Sequence, residues 1–167
     1  MKRLFIVLLC ATVMTGSACS KKAKEVSPAA VSEAKMLINE AQFAMSVREY
    51  SRAEELIRRS IKLNEDMPEY WVSLGMALRR QDKNDEARKA YKQALELHAD
   101  RFKETKRPEE LGQQAFVLGL LGKVDDATKL MEKGLKEFPD SDLMKRMAAP
   151  TGLQSTFKTE KFKELAL

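Results

Sequence analysis

The chain has 167 residues, a third of them charged, and a formal net charge of +5. Seven glycines and five prolines are too few for a collagen-like or low-complexity chain, and two cysteines are too few for a disulfide scaffold. The charge is too modest to argue for nucleic acid as a partner, because acidic and basic residues alternate along the chain, as in Glu54-Glu55 with Arg58-Arg59.

Residues 1–18 read as an export signal outside the fold. Lys2 and Arg3 form a basic start, Leu4 to Met14 an apolar run, and Thr15-Gly16-Ser17-Ala18 a small-residue cleavage region. The run is shorter than the roughly 20 residues that a membrane-spanning helix takes. Cys19 follows at once, and the arrangement resembles a bacterial lipoprotein signal, in which that cysteine becomes the acylated N-terminus. Gly16 departs from the pattern, which prefers leucine there. Ordinary secretion with cleavage at the same place is the competing reading. By the same resemblance, Ser20 rather than an aspartate after Cys19 implies the periplasmic face of the outer membrane. Residues 19–27 are then the lipidated cysteine and a polar tether.

The spacing predicts helices and no strands from Pro28 onward. Trp71, Leu74 and Leu78 lie three or four apart and share one helix face, with Gly75 beside it where a side chain would block a second helix. Ala87 and Ala94 are the small positions of the partner helix, and Tyr91 fills the space between them. Read as Trp-x2-Leu-Gly-x2-Leu followed by Ala-x3-Tyr-x2-Ala, these residues resemble the tetratricopeptide repeat, a helix pair of about 34 residues. The order recurs 34 residues earlier at Ala53, Ile57, Ser60 and Ile61, with Ala41 matching Gly75. It recurs 40 residues later at Ala127, Met131, Gly134 and Leu135, with Ala115 as the small residue.

This places units at about 34–67, 68–101 and 108–141 within a repeat domain at 28–148. The outer units are degenerate: Leu37 and Leu111 stand for the tryptophan, and Glu40 and Gln114 for the leucine. Such departures suit the ends of a stack. Pro68 and Pro108 fit first helical turns, with Glu69, Glu109 and Glu110 complementing the helix dipole. Gln81-Asp82-Lys83-Asn84 reads as a turn with Asn84 or Asp85 as N-cap, and Gly122 as a C-terminal cap. Residues 149–167 read as a closing segment that covers the open end of the stack, with Phe162 and Leu165 docked inward. The expected fold is an all-α solenoid of about three helix pairs and a capping helix.

No catalytic constellation is expected. The single histidine, His98, is placed near a helix end, where it favours the dipole. With no second histidine and no interior cysteine, neither a metal nor a cofactor is expected.

What the resemblance implies is partner binding. In this family the first helices of successive units line a concave groove that takes a peptide or helix. The corresponding residues are Ile38, Asn39, Gln42 and Met45 in the first unit, Val72, Ser73, Met76, Arg79 and Arg80 in the second, and Gln113 and Phe116 in the third. The expected function is a membrane-anchored, non-enzymatic adaptor that holds a protein partner in the envelope, as in pilus, secretion, outer-membrane or cell-wall assembly. A self-associating structural protein is the alternative, and a small cell-wall enzyme a more distant one.

Overall fold

The computed structural model describes residues 26–167. The expected export signal, Cys19 and most of the expected tether lie outside the described residues.

The first pair is α1 (Pro28–Ser46) and α2 (Tyr50–Leu63). Ser27 caps α1 by accepting the Ala30 N–H at 3.2 Å, and Pro28 sits in the first turn, where its missing N–H costs nothing. Ala34, Leu37, Ile38, Ala41 and Ala44 form one buried stripe of α1; Ala53, Leu56, Ile57, Ser60 and Ile61 form that of α2. The small residues let the helices approach closely enough for the buried Ser60 hydroxyl to donate to the Ala34 carbonyl at 3.1 Å.

The second pair, α3 (Pro68–Arg79) and α4 (Asn84–Thr105), repeats the design. A Cβ on Gly75 would lie 2.2 Å from the Tyr91 ring, so the bare glycine is what admits that ring into the interface. The third pair is α5 (Pro108–Leu120) and α6 (Val124–Glu137). Successive pairs stack through α2 on α3 and α4 on α5. No strand occurs among the described residues, and the fold is an all-helical stack of paired helices.

Each pair turns through one left-handed residue: Arg48 at φ 65°, Asp82 at φ 58° and Gly122 at φ +73°. Their numbers differ by 34 and then 40, the same offsets as the packing residues. Only the third turn uses glycine, the residue that takes this conformation without steric cost. Asn84 and Asp85 do not cap α4. Lys83 occupies the cap position with no side-chain bond, and both residues lie inside the first turn, where Asp85 serves the dipole instead.

The six-residue offset between the second and third units lengthens α4, which runs to Thr105 and stops at Lys106 in the left-handed region, φ 52°. His98 faces the next helix and does not cap the end of its own. It is 1% exposed, with Nδ1 2.7 Å from Glu110 Oε2 on α5. The helix runs seven residues past His98, which lies in the joint between units.

After the third pair come α7 (Asp142–Ala148), α8 (Leu153–Phe157) and α9 (Glu160–Lys163). Met144 on α7 is fully buried against the third pair, its sulfur where a Cβ on Gly134 would lie.

Candidate partner-binding groove

The packing residues lie in the core between the helices. Ala41, Ala53, Leu74, Gly75, Leu78, Ala87, Tyr91, Ala94, Ala115, Ala127 and Gly134 are buried, and Trp71 is half-buried, its indole N–H donating to the Glu65 carbonyl at 2.8 Å. The neighbouring positions of α1, α3 and α5 are the candidate groove residues.

Those positions divide into three groups. Ile38 does not line an open surface: at 9% exposure it belongs to the core, drawn in by the alanine-rich contact with α2. Asn39, Gln42 and Gln113 are exposed, while Met45, Val72, Ser73 and Met76 are partly exposed, the apolar ones resting against the core. The Ser73 hydroxyl is turned back to the Glu69 carbonyl of its own helix at 2.9 Å. Arg79, Arg80 and Phe116 form the third group, and they are already occupied.

Their occupant is the end of the chain. Rather than only covering the open end of the stack, α8 and α9 lead the chain across the C-terminal ends of α5 and α3. Phe157 and Phe162 are 7% and 6% exposed, with ring centroids 4.9 Å apart. Phe162 meets Phe116 edge-on at 5.6 Å. A Cβ on Gly119 would lie 2.3 Å from the Phe157 ring, so this glycine makes the seat. Beyond α9, Arg79 Nε donates to the Ala166 carbonyl and Tyr91 Oη to the Leu165 carbonyl, each at 2.8 Å. Arg80 pairs with Glu164 at 2.7 Å, and the Leu167 N–H donates to the Leu120 carbonyl at 2.9 Å. Burial pushes the Tyr91 phenol well above its ordinary pKa, the nearby Arg79 only partly opposing the shift. It therefore stays a neutral donor.

Sequence reasoning anticipated Phe162 and Leu165 turning inward but missed where they land. It also missed Gly119, Tyr91 Oη and Glu164 as parts of the groove. Gly119 was the available signal: it stands three residues after Phe116, on the same helix face, where a side chain would close the seat.

In the N-terminal halves of α3 and α5, Glu69, Glu109 and Gln113 are exposed. A cavity of about 410 Å³ opens between α5, α7 and α8, lined by Glu109, Gly112, Gln113, Phe116, Leu143, Met147 and Leu153. Its walls are apolar apart from Glu109 and Gln113, a composition suited to a side chain from a partner.

A second open surface lies on α1. Met36, Phe43 and Val47 are 64%, 62% and 47% exposed. Their counterparts 34 residues on are Tyr70, Ala77 and Gln81; 40 further, they are Glu110, Val117 and Leu121. Tyr70, Ala77, Val117 and Leu121 are buried, Gln81 reaches the Tyr50 carbonyl and Glu54, and Glu110 holds His98. In the second and third units, then, this face packs on the preceding helix pair. In the first unit it is open.

Among the described residues no cluster of His, Cys, Asp or Glu is arranged to hold a metal ion, and no helix is long and apolar enough to cross a membrane. No curated protein matches the chain. The family model described as tetratricopeptide repeat matches residues 38–102, which run from α1 into α4. That match, over helices paired at the repeat's spacing, supports a tetratricopeptide-repeat protein, a kind of module that commonly binds protein partners and is typically not catalytic.

Proposed function

We propose that this protein is an envelope adaptor that holds a protein partner in the groove of its helix stack, tethered to the membrane through acylated Cys19. The observation that carries the binding reading is that the groove already grips a protein segment. Arg79 and Tyr91 donate to main-chain carbonyls, Arg80 meets a carboxylate, and Gly119 and Phe116 seat aromatic rings.

The envelope setting rests on residues 1–19: basic start, apolar run, small residues, cysteine. Several acyl chains at about 0.8 kcal/mol per buried CH₂ hold a protein firmly on a bilayer. The periplasmic face of the outer membrane, and service to a pilus, secretion, outer-membrane or cell-wall machine, are part of the same proposal. Replacing Cys19 by alanine moves the protein from the membrane to the soluble fraction; unchanged fractionation rejects the anchor. Photo-crosslinking in cells from Val72 or Gln113 captures one protein that is not captured from Lys133 on α6. Equal capture from all three positions, or from none, rejects the groove.

A second reading is favoured by the open face of α1. Met36, Phe43 and Val47 present the surface that the second and third units bury, and a second copy would cover it. Light scattering decides between them: mass that rises with concentration and falls back in Phe43→Glu supports self-association.

A further inference from the structure

We propose that the rim of the groove built by Arg79, Arg80, Tyr91, Phe116 and Gly119 is a docking site for a defined class of segment, and that the chain's own residues 157–167 are its resident competitor. The class is read from the occupant: two aromatic residues five apart, an acidic residue two further on, then small or aliphatic residues. This rests on the adaptor reading and gives its partner a chemistry.

Each part of that chemistry answers to a part of the rim. The first ring needs the bare backbone of Gly119, where a Cβ would lie 2.3 Å from Phe157. The second meets Phe116 edge-on at 5.6 Å, the arrangement that aromatic quadrupoles favour. The carboxylate meets Arg80 at 2.7 Å. The last residues give their carbonyls to Tyr91 and Arg79, so their side chains are weakly specified.

The resident segment buries two rings, 7% and 6% exposed, but the rest of it is lightly held. Helices α8 and α9 have five and four residues, too short to be stable alone. The Glu164 side chain is 54% exposed at its ion pair, so water reaches the contact. The segment is tethered at high effective concentration, and a partner's apparent affinity falls by the fraction of time the rim is closed. Anything that loosens the tail raises that affinity.

The test uses the full chain and a fluorescent synthetic peptide of residues 153–167 as the probe. Wild type binds it weakly. Phe162→Ala binds it about tenfold more tightly, and Glu164→Arg binds it several-fold more tightly without touching the core. Adding Arg80→Glu to Phe162→Ala abolishes the gain, and a peptide carrying Glu164→Arg restores it. Circular dichroism checks that each variant keeps its helicity; if Phe162→Ala does not, Glu164→Arg carries the comparison. Folded variants that bind no better than wild type overturn the proposal, as does peptide binding indifferent to Arg80→Glu. If the peptide fails while Val72 and Gln113 still crosslink one partner in cells, the adaptor reading stands and this inference alone falls.

Discussion

The hydroxyl of Tyr91 on α4 donates to the main-chain carbonyl of Leu165 at 2.8 Å. One residue thus joins the packing of the second helix pair to the tail in the groove: its ring fills the space left by Gly75, and its polar tip reaches across to residue 165. Tyr91→Phe keeps the ring and removes only the grip. The expected loss is about 0.5–1.5 kcal/mol, the net worth of one neutral hydrogen bond. Faster amide hydrogen exchange of residues 160–167, with α3 and α4 unchanged, is the accompanying signature. Equal acceleration throughout the second pair would mean that the hydroxyl supports the pair and not the tail.

The other end of the same ring sets a second prediction. Any Cβ at position 75 collides with Tyr91, at 2.2 Å from one ring carbon and 2.4 Å from the next. Gly75→Ala therefore overpacks the interface, for a cost of about 1–3 kcal/mol even though alanine favours a helix. Tyr91→Leu removes the collision but loses aromatic burial. Combining the two should cost less than the sum of the separate losses, which a double-mutant cycle by urea denaturation reads directly. Additive losses would mean that the two residues do not share one packing site.

The repeat was legible because packing between paired helices leaves a mark in side-chain size. Ala53, Ala87 and Ala127, and the large Ile57, Tyr91 and Met131, are the record of three similar contacts. The degenerate positions are explained by their surroundings: Glu40 turns outward to Arg52, and Gln114 turns to the His98 carbonyl at 3.4 Å. The path of the tail was not legible. Its last residues are held through the carbonyls of Leu165 and Ala166, and main-chain contacts do not constrain side-chain identity; Gly119 alone left a mark, and one glycine does not give a path. The burial of His98 was not legible either, because its partner Glu110 stands on the next helix and the packing of one unit on the next is not written in the spacing within a unit.

Glu54 ties α2 to the turn of the next pair, accepting from Lys83 at 2.8 Å, Gln81 at 3.0 Å and Arg58 at 2.8 Å. Desolvation raises its pKa, but the hydrogen bonds from Lys83, Arg58 and Gln81 together outweigh it and hold the carboxyl below its ordinary value. A carboxylate depressed in the folded state contributes stability above its unfolded pKa, about 4.3, and loses it as pH falls through the lower folded value. Glu54→Gln should thus lower the melting temperature at pH 7 and flatten its decline below about pH 4. A variant whose melting temperature keeps the wild-type slope in acid would show that other carboxylates govern the acid limb.

The joint between the second and third units turns on His98 and Glu110, 2.7 Å apart with side chains 1% and 15% exposed. His98 Nε2 is buried without a hydrogen-bond partner among the described residues. Glu110 is therefore the imidazole's one side-chain partner there. Glu110→Ala leaves a buried imidazole with neither nitrogen satisfied by a side chain, at a cost of about 1–3 kcal/mol. His98→Leu removes the buried polar ring and the need for a partner, so it should cost less than Glu110→Ala, and Glu110→Ala added to His98→Leu should cost little more. In a stack whose units contact only their neighbours, damage at this joint loosens the third pair before the first. Native-state hydrogen exchange of Glu110→Ala should accordingly show α5 and α6 opening at lower free energy than α1 and α2. Uniform opening of all three pairs would instead mean that the stack unfolds as one cooperative unit and that this joint is not its weak point.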